Sequence, residues 1–177
     1  MILSKKLAAV ASTILTLLLC SEIQSQTTTP IKYNQGFRLG FGLNGGIPSN
    51  KKYDWALGGD VRLQYDLSKK TSLTLTTGFT NLFHYSKIEN ETLTTKDLGY
   101  IPAKAGFKAF IWEDRYYVLG EAGAAFAVTN NYDKTSFVWS PGFGFATKYV
   151  DISVRYEDVP KFKTNQIALR LAYGFKL

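Results

Sequence analysis

The sequence predicts an all-β chain folded as an eight-stranded antiparallel up-and-down transmembrane β-barrel. Three observations carry that expectation. Eight segments alternate large apolar residues with polar or very small ones, the period of a strand whose two faces meet different surroundings. The links between them alternate short and long, as the two ends of an outer-membrane barrel require. The chain also opens on a stretch with the build of an export leader.

That leader comes first. Lys5 and Lys6 give a basic start, and Leu7–Leu19 an apolar run too short to span a bilayer. Ser25 precedes the expected cut, so residues 1–25 read as a cleavable signal peptide, 26–36 as a short periplasmic segment and 37–177 as the barrel. Cys20 suits a lipoprotein leader as well, but Leu19 is too large for the small residue such a site wants. Cys20 is the only cysteine, so the mature chain has none, which excludes disulfides, thiolate catalysis and cysteine-held metals.

The first strand, Phe37–Ile47, sets Arg38, Gly40 and Gly42 on its polar face. Trp55–Asp66 is the clearest: Trp55, Leu57, Val61, Leu63 and Tyr65 on one side, Asp60, Arg62, Gln64 and Asp66 on the other. Ser72–Phe83 comes next, then Leu98–Phe110 with Lys104 and Lys108, and Tyr116–Val128 with Glu121. Ser136–Ala146 contributes Ser140 and Gly142, Val150–Glu157 contributes Arg155 and Glu157, and Asn165–Phe175 contributes Arg170. The links at Leu67–Thr71, Ile111–Arg115 and Thr147–Tyr149 are short, whereas Pro48–Asp54, His84–Asp97, Thr129–Thr135 and Asp158–Thr164 are mostly longer and polar. Short periplasmic turns and longer external loops then put both termini on the periplasmic side of a Gram-negative (diderm) outer membrane. Pro102 and Pro141 fall inside strands, where each lacks a ladder donor, so bulges are expected there.

A soluble up-and-down barrel alternates in the same way with its faces reversed. The apolar face here carries about thirty large side chains, more than a narrow eight-stranded interior holds. Its aromatics, among them Phe37, Trp55, Tyr65, Phe83, Tyr116, Trp139, Tyr156 and Tyr173, gather near strand ends as interfacial girdles do. The polar face is rich in Gly and Ala, which a crowded lumen needs and a solvated surface does not. These points favour the membrane.

The expected interior network is therefore Arg38, Asp60, Arg62, Gln64, Lys104, Lys108, Glu121, Arg155, Glu157 and Arg170, with six cations facing three anions. Centring the fourth and fifth strands on Trp112–Glu113 places Lys104 opposite Glu121. The other short links place Gly142 opposite Arg155 and Ser140 opposite Glu157, and pairing around Lys51 places Gly40 opposite Arg62 and Gly42 opposite Asp60. Charges so shielded need partners, since an unpaired one costs several kcal/mol. A structural plug of salt bridges is the leading reading, and an ion path through the same charges the sharper one.

With these residues assigned, the chain resembles the small eight-stranded outer-membrane barrel family, OmpX-like and OmpA-membrane-domain-like, over Phe37 to Leu177. The resemblance rests on Ile101–Phe110, on Tyr116–Phe126, and on Leu169–Leu177 with Phe175 followed by Lys176 and Leu177. It implies the fold, the membrane location and recognition by the barrel-assembly machinery, for a family whose roles span adhesion, anchoring, small-molecule passage and lipid modification.

Candidate chemistry is sparse. His84 is the single histidine, and with Ser86, Glu89 and Glu91 it forms the one hydrolase-like constellation. Its His-x-Ser spacing resembles that of outer-membrane lipid A deacylases, yet Lys87 and Ile88 replace the residues expected after the serine of those enzymes. No His/Cys cluster suggests a metal and no cofactor motif is present. Net charge is +7 for the whole chain and +6 once Lys5, Lys6 and Glu22 leave with the leader; it is scattered, which disfavours nucleic acid and suits lipid head groups. The leading expectation is a non-enzymatic barrel whose external loops meet lipopolysaccharide, outer-membrane lipids or neighbouring surfaces. Passage of a small solute or apolar compound, and lipid A hydrolysis, are the alternatives.

Overall fold

A computed structural model describes residues 36–50, 52–84, 97–112, 114–129 and 135–177. The leader, most of the 26–36 segment, and Ser86 with its two acidic neighbours lie outside the described residues. The described chain runs through β1 (Phe37–Pro48), β2 (Tyr53–Asp66), β3 (Thr71–His84), β4 (Leu98–Trp112), β5 (Tyr116–Ala127), β6 (Thr135–Ala146), β7 (Val150–Val159) and β8 (Thr164–Lys176). Each strand pairs antiparallel with its sequence neighbour, and β1 closes on β8 to complete the barrel.

The faces settle which way the alternation points. Leu43 is 71% exposed and Leu75 59%, whereas Arg170 and Lys108 are each 1% exposed. Such an inverted surface is stable only with hydrocarbon outside. Closure leaves no open sheet edge, so the wall's backbone donors and acceptors have partners where no water competes for them. Outward aromatics pair at both ends: Trp55 stacks on Phe83 at 4.0 Å, while Phe37–Tyr65 and Tyr149–Tyr173 sit 4.8 and 5.9 Å apart at the opposite rim.

Two connections are tighter than the sequence suggests. The β1–β2 link contracts to residues 49–52, and β7–β8 to 160–163, because the ladders continue past the expected strand ends. The second is a single 3-10 turn, Pro160–Phe162, begun by a proline with fixed φ and closed by Lys163 at φ 50. Ser49 N–H bonds Asn165 C=O at 3.0 Å, and Asn50 Nδ2 donates to Lys163 C=O at 2.8 Å, so the two links brace each other.

The expected bulges at Pro102 and Pro141 are absent. The ladder lapses between the Thr77–Ala103 and Thr80–Tyr100 pairs, and between Trp139–Asp158 and Gly142–Arg155, but resumes in step. A missing donor removes a hydrogen bond without demanding an extra residue. The register shifts occur instead between Tyr53 and Trp55 and between Phe110 and Trp112.

Candidate functional site

The barrel interior is the candidate site, and β1 against β2 builds its first wall. Gly40 faces Arg62 and Gly42 faces Asp60, as the sequence implied. A side chain on Gly42 would meet the Arg170 guanidinium at about 2.9 Å, so glycine is what lets that arginine cross the lumen. Arg170 Nε and Nη2 grip Asp60 in a fork, with contacts of 2.6 to 3.0 Å. Asn44 Nδ2 also donates to Asp60 (2.8 Å), while Asn44 Oδ1 accepts from Arg155 Nη2 (2.6 Å).

A second knot centres on Glu121. Arg62 Nη2 donates to its Oε1 at 3.1 Å and Thr76 Oγ1 at 2.6 Å, and Arg62 Nε bonds Thr76 Oγ1 at 3.0 Å. Lys104 and Arg155 approach the other oxygen at 3.6 and 3.7 Å. Lys104 has a closer partner in Glu157, at 2.5 Å. Glu157 also accepts from Tyr100 OH (2.7 Å) and Gln166 Nε2 (3.2 Å).

This corrects the expected Lys104–Glu121 register. Lys104 lies opposite Gly123 and Glu121 opposite Gly106, two positions away from the sequence-based pairing. The β4–β5 turn closes later than expected, with Arg115 N–H bonding Trp112 C=O at 3.0 Å, Asp114 at φ 53 and a register shift before Trp112. An offset of two keeps every side chain on its face, so the inward residues survive the correction while their partners change. The recurring pattern of a charge facing a glycine was the signal that could have found the right register. Gly142 faces Arg155 as expected, whereas Ser140 and Glu157 fall in the lapse of the β6–β7 ladder beside Pro141.

A third knot lies toward the short-turn end and was missed. Asp151 accepts from Lys108 Nζ (2.7 Å) and Tyr117 OH (2.5 Å), with Arg170 Nη1 3.7 Å away. Lys108 Nζ also sits 3.7 Å over the Tyr117 ring and 3.4 Å from Gln64 Oε1. Asp151 shares parity with Arg155 and Glu157, so alternation alone would have put it inside. Arg38 is a rim residue, not an interior one: its side chain is 36% exposed and lies 3.5 Å from Asp66, which also accepts from Gln64 (2.6 Å) and Ser72 (2.8 Å). With Asp66 and Asp151 counted, the six expected cations meet five carboxylates.

The other end of the lumen is apolar, which the sequence reading did not anticipate. Tyr53, Leu82, Leu98, Tyr100, Val138, Val159 and Phe162 pack there as one buried cluster. Phe162 comes from the 3-10 turn and folds back into the mouth, 6.1 Å from the Tyr100 ring. Lys161 N–H donates to Ser136 Oγ at 3.1 Å, pinning that turn to β6.

His84 ends β3, with its backbone N–H bonded to Asp97 Oδ1 at 2.9 Å and its ring 6.3 Å from Tyr53. Its expected companion Ser86 is outside the described residues, so the constellation is not assembled among them. Among the described residues no cluster of three His, Cys, Asp or Glu could hold a metal ion.

Comparison with known proteins agrees with this architecture. The family profile described as outer membrane protein beta-barrel domain matches residues 12–175. The backbone of Ail from Yersinia pestis in a phospholipid bilayer nanodisc is similar, with TM-score 0.53, 17% identity, and coverage of 78% of this chain and 99% of that one. Ail crystallised with the heparin analogue sucrose octasulfate gives 0.50 at 16% identity, covering 81% and 97%. A de novo designed transmembrane β-barrel gives 0.51 at 13% identity, covering 80% and 98%. No curated protein matches the chain in sequence.

Proposed function

Because this chain belongs to the outer membrane protein beta-barrel domain family, and so to the Gram-negative outer membrane, we propose that it works as a plugged, non-enzymatic barrel presenting its loop end as an interaction surface. The filled lumen carries this reading. Charged side chains bonded to one another occupy the middle and the short-turn end, and the apolar cluster with Phe162 occupies the mouth. An eight-stranded interior filled in this way leaves no continuous path for a hydrated ion.

In this reading the described wall is an anchor. The connections from β3 to β4 and from β5 to β6 are the longest in sequence, and they leave strand ends on the same side as the two braced links, which supports taking that end as the external one. Both termini then face the periplasm. Lipopolysaccharide and neighbouring surfaces are the partners expected at the loops, the barrel-assembly machinery acts during biogenesis, and nucleic acid, cofactor and catalysis play no part. Planar-bilayer recording of the refolded chain tests the plug: a flat trace is expected, and reproducible discrete channels would overturn it. An epitope inserted at residue 90 should be labelled on intact cells; labelling only after lysis would reverse the orientation.

A further inference from the structure

The lipid-facing wall is not uniformly bulky. At mid-height the register aligns Val61, Thr77, Ala103, Ala124 and Phe137 in one row across β2 to β6. The next row holds Leu63, Leu75, Ala105, Ala122 and Trp139. In both rows large side chains stand at the flanks and small ones in the middle, which leaves a trough along β3 to β5. It has a volume of about 470 Å³ and is lined almost wholly by apolar atoms. Phe79, Ile101 and Phe126 stand in the next row toward the loop end.

Toward the other end the next row holds Tyr65, Leu73 and Phe107, with open space beside them only at Gly120 of β5. Beyond that row lies the β2–β3 turn, where Lys69 and Lys70 are exposed. Lys70 is fastened beside β4 through its carbonyl, which accepts the Phe110 N–H at 2.7 Å. Leu75, on the trough's edge, is five residues from Lys70. At about 3.3 Å per residue and a strand tilt of roughly 40°, that is about 13 Å of depth, close to the ~15 Å of one leaflet.

From this we infer that the trough seats one acyl chain of an anionic glycerophospholipid whose phosphate rests on Lys69 and Lys70. The inference rests on the membrane orientation proposed above, which puts this turn in the phospholipid leaflet. Apolar fit holds the chain, and the paired ammonium groups select the head group. A neutral lipid gains only the first of these.

Native mass spectrometry of the refolded barrel, titrated with dioleoylphosphatidylglycerol or dioleoylphosphatidylcholine, tests it. One phosphatidylglycerol should be retained per barrel in preference to phosphatidylcholine. Lys69→Gln with Lys70→Gln should reduce that preference roughly thirtyfold. Ala105→Phe, which fills the trough from the lipid side, should weaken both lipids about tenfold while migration stays heat-modifiable. Ala105→Phe binding as wild type does, wild type without head-group preference, or a dimer that this substitution abolishes would each overturn the site. A chain that never becomes heat-modifiable would sink the barrel reading and the trough with it; a folded barrel indifferent to Ala105→Phe sinks the trough alone.

Discussion

Lys104 offers a test of the interior because two carboxylates compete for it. Its ammonium lies 2.5 Å from Glu157 and 3.6 Å from Glu121. At an effective dielectric of about 20, the gross attractions are about 6.6 and about 4.6 kcal/mol before desolvation. Only the shorter contact is also a hydrogen bond, and the net worth of one involving a charged group is ~1.5–3 kcal/mol after desolvation. Double-mutant cycles from Lys104→Met, Glu157→Gln and Glu121→Gln should therefore give a coupling of about 2–3 kcal/mol for Lys104–Glu157 and about 1 kcal/mol for Lys104–Glu121. Each single substitution should cost about 3–5 kcal/mol by stranding a buried charge. Urea unfolding of the barrel refolded in vesicles, followed by tryptophan fluorescence and gel mobility, reads these values. Equal couplings, or a stronger one to Glu121, would refute the β4–β5 register.

Other substitutions probe separate parts of the wall and lumen. Gly106→Val should prevent refolding, because a Cβ there would meet Glu121 Cγ and the Gly120 carbonyl at about 2.6 Å; normal heat-modifiable migration would contradict this. Asp151→Asn removes the carboxylate shared by Lys108 and Tyr117 and should cost about 3 kcal/mol in urea unfolding, against none for a solvated aspartate. Leu43→Arg, on the most exposed stretch of β1, should cost about 2–4 kcal/mol in vesicles, and a neutral result would place Leu43 in water. Phe162→Ala should lower stability by about 3 kcal/mol through the cavity left at the mouth, measured in the same way; an unchanged midpoint would mean the ring is not packed.

Much of this was legible because alternation in a strand is a strict geometric rule. Trp55–Asp66 declares its two faces in the sequence, and the structure places Arg62, Gln64 and Asp60 inside as that pattern demands. What escaped depended on geometry that period two does not encode. The β4–β5 pairing turned on Asp114 adopting a left-handed backbone and on the register shift near Trp112, which no hydrophobic pattern announces. Phe162 escaped because it lies in a connection, where alternation says nothing, although Pro160 beside it marked a tight turn. Asp151 was different: its parity with Arg155 was readable, but it sits at a strand's edge where facing is easily discounted. The apolar mouth was equally readable, since Leu82 and Leu98 share parity with Thr80 and Lys104.

The central claim is that the apolar face of this wall meets hydrocarbon while the charges meet each other. Cys20 is the only cysteine and precedes the first strand, so in a Cys20→Ser background a single Cys with a nitroxide label can replace Leu43, Leu75 or Leu171, all outward and exposed. Electron paramagnetic resonance on the barrel refolded in vesicles then compares relaxation by oxygen, which partitions into acyl chains, with relaxation by a water-soluble nickel chelate. A wall facing hydrocarbon gives strong oxygen and weak nickel effects at all three positions. Strong nickel access there would mean that this face is solvated and the barrel is not embedded as described.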